Sequence, residues 1–320
     1  MTLPRYLVGL IGAHIGRSLS PALHEDGFAA LGSSGHYHLM DSEDGRGRKL
    51  PDMLAAARTA GFAGVNVTFP FKEAVLALLD QVSPEAQQIG AVNTVVFDKT
   101  GRTTGHNTDR SGFRAAFAET FGKDAVRGAP VLQLGAGGAG RAVAFAMMDL
   151  GAQPLRLFDR EMARARKLCA DLVARFGSGC CEVLDAPEPA IATSAAIVNA
   201  TPVGMWSHPG LPMPTDRIEA RHLVVDVIYT PLETEFLLAA KARGARTMGG
   251  AGMCVHQAAE AFRHFTGQAA DVEQPVVGLA HKRRGALECA LHLAPGERLR
   301  DHLVVDQILA GLEDRERIAR

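Results

Sequence analysis

The stretch VLQLGAGGAGRAVAFAMMDLGAQPLRLFDR, residues 131–160, leaves few architectures open. An apolar run ends in a glycine-rich turn, an amphipathic segment of helical spacing follows, and a second apolar run closes on an acid. GAGGAG matches G-x-G-x-x-G at Gly135, Gly137 and Gly140. In a chain with 34 glycines that match alone is weak. Its setting makes it informative: strand, turn, helix and strand are in register, and Asp159 stands about twenty residues beyond the last motif glycine. Gly135 permits the tight turn, and Gly137 lets backbone N–H groups approach a pyrophosphate. Gly140 lets the helix pack close to the strand, while the helix N-terminus favours negative charge. A glycine turn without a ligand is the alternative, and the ordered context argues against it.

Strand and helix alternate on both sides of this unit. Before it, strands are expected at 6–12, 36–41 and 64–69, and a hairpin at 93–109 around the turn sequence DKTG. Helices are expected from Ser20, as N-cap with Pro21 at the first helical position, to Gly32, and over 53–60, 72–79 and 109–121. GKDAVRGAP then reads as a domain boundary. Beyond the unit come helix 162–176, strands 181–185, 196–202 and 222–229, and helix 232–244. The alternation from 131 onward implies a mostly parallel sheet with both faces covered, and 320 residues are comfortable for two domains.

Composition narrows the function classes. The chain is 47% hydrophobic and 22% charged, with a net charge of -1, so nothing draws it to nucleic acid or to an anionic membrane. No run approaches the eighteen or so apolar residues of a membrane helix. MTLPRYLVGLIGAHIG lacks the uninterrupted apolar core of a signal peptide. The expected location is cytoplasmic. Cys169, Cys180, Cys181, Cys254 and Cys289 show neither CxxC pairing nor metal-ligand spacing and read as reduced thiols. His24, His106 and His256 also lack ligand spacing, and no metal site is expected.

The first half carries polar groups where a strand should be apolar. In NVTFPFK, Asn66 and Thr68 point to the same face, Pro70 stops the strand, and Lys72 is directed toward the next helix start. A lysine beside the positive end of a helix dipole is disfavoured unless solvated or held by an anion. RSLSP places Ser18 and Ser20 at a strand-to-helix turn, GAVNT places Asn93 at a strand start, and GHNTD places Asp109 at a helix N-terminus. Each alone fits a cap or a turn. Four such clusters at element ends in one half of the chain favour a polyhydroxylated ligand, because ligands of open α/β sheets sit beyond the carboxyl ends of strands.

SLSPALHE, NVTFPFKE, GAVNT, GHNTD, GAGGAG, NATPVGM and GMCVHQAAEAF occur in this order. Together, over roughly residues 6–272, they resemble the shikimate dehydrogenase family, including its quinate/shikimate branch. The resemblance implies an N-terminal α/β substrate domain (1–110), a Rossmann-type doubly wound cofactor domain (111–247) and C-terminal helices returning to the first domain (248–320). It implies Lys72 and Asp109 as the catalytic pair. It implies Ser18, Ser20, Asn66, Thr68, Asn93, Tyr229 and Gln257 as the substrate-binding set. It implies a cofactor lining of Gly135, Ala136, Gly137, Gly138, Ala139, Gly140, Asp159, Arg160, Arg164, Thr201, Val227, Gly250 and Met253. The reaction implied is hydride transfer between nicotinamide C4 and C3 of the ring, with Lys72 taking or relaying the alcohol proton.

The expected cofactor is NAD, with NADP as the alternative. Asp159 can bind both ribose hydroxyls and would repel a 2′-phosphate, and Glu161 adds to that repulsion. Arg160 and Arg164 are residues of the kind that bind such a phosphate, or belong to a solvated helix start. The run FDR departs from the Asn, Arg and Thr/Ser run of NADP-using members and resembles the NAD-using branch. The Ser18/Ser20 pair is the form common in shikimate enzymes, so quinate and shikimate both stay open as substrates. An NADP-dependent biosynthetic shikimate dehydrogenase and a non-catalytic NAD-sensing protein are the competing functions. The tail from about 280 is a second departure. Leu299, Leu303, Ile308 and Leu312 fall near helical spacing, which fits a surface helix or a homodimer contact.

Overall fold

The computed structural model describes residues 4–268 apart from Arg17 and Asp44. The expectations for Cys289 and for the tail with Leu299, Leu303, Ile308 and Leu312 lie outside the described residues.

The apolar run of the N-terminus forms β1 (Arg5–Gly12), whose last five residues are buried. It is followed by α1 (Ser20–Ala30), β2 (Ser34–Asp41), α2 (Leu50–Thr59) and β3 (Gly64–Val67). β1 lies between β2 and β3, parallel to both. β4 (Gln81–Val82), α3 (Pro84–Ile89) and the hairpin β5 (Thr94–Phe97) and β6 (Thr103–His106) complete a sheet of order β2-β1-β3-β5-β6-β4. This sheet is mixed, since β5 runs antiparallel to β3 and to β6. The short DKTG connection accounts for the β5–β6 pairing, because only antiparallel neighbours can be joined without a crossover.

α4 (Asp109–Phe121) leads to the second sheet. Its elements are β7 (Val131–Leu134), α5 (Gly138–Asp149), β8 (Leu155–Phe158), α6 (Met162–Phe176), β9 (Cys181–Val183), α7 (Glu188–Ile191), β10 (Ala196–Asn199), β11 (Leu223–Asp226), α8 (Glu235–Ala242) and β12 (Arg246–Met248). All six strands are parallel, in the order β12-β11-β10-β7-β8-β9. Every residue of β7, β10 and β11 is buried, as strands covered on both faces require. Winding proceeds outward from β7 in one direction and from β10 in the other, so the switch point lies between them. α9 (Ala251–Thr266) then returns to the first sheet, where its Phe262 and Phe265 pack with Val8, Leu10, Phe28 and Tyr37.

Several element ends differ from expectation. Ser20 is the first residue of α1 rather than its N-cap; Leu19 takes the cap position. Residues 72–79 form only a short 3₁₀ segment, Ala74–Leu78, and Lys72 precedes it in a turn. β3, β10 and β11 stop at Val67, Asn199 and Asp226, short of the expected ends at 69, 202 and 229. Among the described residues no helix is long and apolar enough to cross a membrane.

α9 helps to seal one histidine completely. His24 stacks on Tyr37 at 4.6 Å between ring centroids and lies beside Phe262 and Phe265. Neither ring nitrogen has a hydrogen-bond partner. Burial lowers its pKa from 6.5 to about 3, because charging the ring here finds no compensating group. The folded chain holds neutral His24 while the unfolded chain protonates it below 6.5, so its contribution is complete above 6.5 and is lost as pH falls toward 3. The loss is about 1.4 kcal/mol per pH unit within that window. His24→Phe keeps the aromatic packing and should therefore show a shallower acid loss of stability. Denaturant unfolding at about pH 4.5 and about pH 7 measures it; equal losses in both proteins would remove His24 from acid denaturation.

Candidate active site

At the carboxyl end of the first sheet, Lys72 Nζ donates to Asp109 Oδ2 at 2.6 Å. The two side chains are only 15% and 6% exposed. Each comes from a turn fixed by its own backbone. Lys72 O accepts the Val92 N–H, 2.8 Å away. Asp109 opens α4 but does not cap it. Asn107 Oδ1 accepts the N–H groups of Asp109 and Arg110 at 3.1 and 3.2 Å, which leaves the Asp109 carboxylate available to Lys72. The sequence reading missed Asn107, although an Asn just ahead of a helix is a capping signal.

Beneath this pair runs a chain of buried polar groups. Tyr37 Oη donates to Asn66 Oδ1 (2.8 Å), and Asn66 Nδ2 donates to Asn93 O (3.2 Å) and Thr94 Oγ1 (3.0 Å). Asn93 Oδ1 accepts from Thr94 Oγ1 and from the Thr108 N–H, and its Nδ2 donates to Thr108 Oγ1 at 2.9 Å and Gln257 Oε1 at 3.5 Å. Asn66 therefore spends both amide hydrogens inside the protein. Tyr37, Thr94 and Thr108 were not singled out from the sequence, because only folding makes them neighbours.

A second rim faces the pair. Ser18 Oγ donates to Ser20 Oγ at 3.1 Å. Burial raises the Tyr229 hydroxyl, nearby Cys254 adds to it, and a hydrogen bond with Ser18 opposes both. The Cys254 thiol is pushed up to about 12, first by burial; a Gln257 hydrogen bond opposes this, Asp109 adds to it, and Lys72 counteracts it. Ser18, Ser20, Asn66, Asn93, Tyr229 and Gln257 thus gather around Lys72 and Asp109. Thr68 stands half-buried just past β3 and packs its methyl over Gly12.

The glycine turn joins this cluster from the second sheet. Gly135 has φ +97, and a Cβ there would stand 2.7 Å from Ala200 O, so the ends of β7 and β10 meet only through a glycine. A Cβ on Gly137 would meet only Arg164 Nη1, at 3.8 Å, so this side of the turn is an open cradle at the start of α5. Gln133 braces it from below, donating to Gly135 O and Gly140 O at 2.9 and 2.8 Å. Asp159 accepts the Ala136 N–H at 2.7 Å and the Glu161 N–H at 2.8 Å. Arg160 is exposed, and Arg164 pairs with Glu161 at 2.9 Å. Turn, helix start and terminal carboxylate fit a dinucleotide.

The loops that follow β10 and β11 are tied by a buried carboxylate. Asp226 accepts from Thr234 Oγ1 (2.7 Å), the Ile228 N–H (3.0 Å) and Asn199 Nδ2 (3.1 Å). Burial raises its pKa, and these bonds work the other way. Asn199 Oδ1 in turn accepts from Thr201 Oγ1 at 2.7 Å. A Cβ on Gly250 would stand 2.1 Å from Val227 O, so those two segments also touch. Met253, at the start of α9, is buried in the core of the second sheet. Among the described residues no group of three or more metal-ligating side chains converges. His106 stacks on His264 at 3.9 Å, and His256 pairs with Glu119 at 3.0 Å.

Comparison with known proteins gives the same picture. Residues 10–95 match the shikimate dehydrogenase substrate binding domain, and residues 250–274 match the shikimate 5′-dehydrogenase C-terminal domain. A quinate/shikimate dehydrogenase (NAD(+)) of Corynebacterium efficiens is 45% identical over 272 residues, 84% of this chain and 95% of that protein. A shikimate dehydrogenase (NADP(+)) of Streptomyces avermitilis is 45% identical over 284 residues, 88% of this chain and 97% of its own length. Quinate dehydrogenase from Corynebacterium glutamicum in complex with NAD superposes with a TM-score of 0.78 at 42% identity, covering 85% of this chain and 98% of that one.

Asp226→Ala should test how far the cofactor-side loops depend on one acceptor. It strands the Ile228 N–H and the Thr234 hydroxyl in the interior, at about 1–3 kcal/mol for each unsatisfied group, while the Asn199 amide keeps Val203 O. A melting temperature lower by several degrees is expected; an unchanged one would mean that the loops hold without Asp226.

Proposed function

The chain belongs to the shikimate dehydrogenase family, and we propose that it oxidises quinate or shikimate at C3 to the 3-dehydro compound, reversibly, with NAD. The observation that carries this reading is the buried Lys72–Asp109 pair, set where the polar end of the first sheet meets the glycine turn of the second. A Cβ on Gly138 would stand 2.9 Å from Lys72 Cβ, so the cofactor cradle and the reacting lysine are in direct contact. The buried and half-buried hydroxyls and amides around them suit a ring carrying several hydroxyls and a carboxylate.

Bound NAD supplies the nicotinamide C4 that accepts the hydride from C3. Gly135, Ala136, Gly137, Gly138, Ala139 and Gly140 would hold its pyrophosphate, and Asp159 its ribose hydroxyls, with Arg160 and Arg164 at the adenosine edge. Thr201, Val227, Gly250 and Met253 would line the nicotinamide half. As the C3 hydroxyl becomes a ketone it loses a proton. Lys72 takes or relays that proton and stabilises the negative charge growing on oxygen, and Asp109 orients Lys72. Ser18, Ser20 and Tyr229 would bind the carboxylate end of the substrate, and Asn66, Thr68, Asn93 and Gln257 its ring hydroxyls. The second reading is reduction of 3-dehydroshikimate with NADP. Arg160 and Arg164 beside the turn favour it, as does the similarity to the NADP(+) enzyme of Streptomyces avermitilis.

Lys72→Ala should lower kcat by roughly a hundredfold or more, the scale of losing a general acid–base group. Steady-state assays with quinate and with shikimate decide it, and a folded variant with near-normal kcat takes Lys72 out of the mechanism.

Asp159→Asn removes the charge that opposes a 2′-phosphate while keeping one acceptor oxygen. The variant should gain NADP activity, and its KM for NAD should rise on the order of tenfold, from losing a charge-assisted hydrogen bond. kcat/KM with both dinucleotides is the measurement. A wild-type protein that already prefers NADP replaces the first reading with the second.

A further inference from the structure

Arg141 follows the last glycine of the turn and is nearly buried, at 5% exposure. An arginine so placed in a helix of the second sheet needs acceptors, and it finds them on two sides. Nη2 pairs with Asp171 Oδ2 of α6 at 2.6 Å, within the cofactor half. Nε donates to Ile89 O, at the end of α3 in the substrate half. The fit there is close. Gly90 has φ +70, and a Cβ on it would stand 2.9 Å from Arg141 Nη2.

The residues just after Gly90 form a wall of the reaction site. Ala91 O accepts from Asn107 Nδ2 at 3.0 Å, beside the group that caps α4 beneath Asp109. The Val92 N–H donates to Lys72 O at 2.8 Å. Asn93 is the centre of the buried polar chain, and its N–H donates to His106 O at 3.1 Å. The same α5 touches Lys72 through Gly138.

We propose that Arg141 is a positioning residue. It sets the distance between the cofactor turn and the Lys72–Asp109 pair by gripping the segment 89–93, and it touches neither ligand. The proposal rests on the functional reading of the site as a dehydrogenase. Losing the grip should displace the reacting groups without removing any of them, and a displacement of about an ångström can cost up to a hundredfold in rate.

Arg141→Gln should lower kcat by about ten- to a hundredfold, with KM for NAD changed by no more than about twofold, the signature of an interaction felt in the transition state. In the ligand-free protein the amide protons of Val92 and Asn93 should exchange faster, because they belong to the loosened segment. Arg141→Lys, which can still reach Ile89 O, should recover most of kcat. Asp171→Asn leaves the Ile89 contact in place and should stay close to wild type in both measurements. A folded Arg141→Gln with kcat and exchange like wild type overturns the proposal. So does Asp171→Asn reproducing the full defect, which would put the role of Arg141 inside the cofactor half. If Arg141→Gln does not fold, Arg141→Lys and Asp171→Asn decide by the same comparison. Amide exchange needs no substrate, so a wild-type protein inactive on quinate and shikimate sinks the functional reading while the positioning result still stands or falls alone.

Discussion

The ion pair between Lys72 and Asp109 is the constraint to which the rest of the site answers. Its two members lie 37 residues apart in the chain and on separate elements, yet their charged atoms meet at 2.6 Å with little solvent. Burying two charges costs several kcal/mol per ion in desolvation, and the mutual attraction only offsets this when the geometry is held. The fold holds it from the backbone. Val92 ties down the turn that carries Lys72, Asn107 frees the Asp109 carboxylate by capping α4 in its place, and Ala91 O holds Asn107. A pair kept at that cost is better explained by chemistry than by stability.

α5 carries this geometry into the cofactor half. Its first residue presses on Lys72, and Arg141 links its first turn to α3. At its other end Asp149 receives two bonds from Arg110, at 2.7 and 2.6 Å, and Arg110 is the residue after Asp109. The helix that presents the glycine turn is therefore fastened at both ends to segments in contact with Lys72 and Asp109. α9 closes the same frame from the other side. Gln257 meets Asn93, Glu260 accepts from Ser111, and His264 lies flat on His106. Burial lowers both of those imidazoles, His264 to about 4, so the stacked rings are neutral near pH 7 and do not repel.

Much of this was legible locally, and the division is instructive. Strand, glycine turn, helix and strand at 131–160 depend on spacing within a short window, and α4 and α6 fall where periodicity puts them. Local rules failed at element ends and at pairings between distant segments. The helix expected at 72–79 shrinks to a 3₁₀ turn. The hairpin was visible in DKTG, but not that β5 would lie antiparallel against β3. In the site, residues singled out from the motifs came together, whereas Tyr37, Thr94, Thr108, Gln133 and Arg141 were not singled out, although most of them stand inside or beside those same motifs. Their importance lies in which distant atoms they satisfy, and a single sequence does not display that.

Asp159 braces the glycine turn and still has acceptor capacity to spare. Its Oδ2 accepts the Ala136 N–H from the very turn whose remaining amides would face a pyrophosphate, while Oδ1 accepts the Glu161 N–H. Each carboxylate oxygen has two lone pairs, so these bonds leave capacity for ribose hydroxyls. The arginines nearby do not simply oppose it. Arg164 is drawn to Glu161, which partly neutralises the cation a 2′-phosphate would seek. Charge at this edge is thus set by Asp159, Arg160, Glu161 and Arg164 together rather than by Asp159 alone. The bracing of the turn, by contrast, needs only an acceptor oxygen at residue 159, which is why charge and scaffold can be separated there.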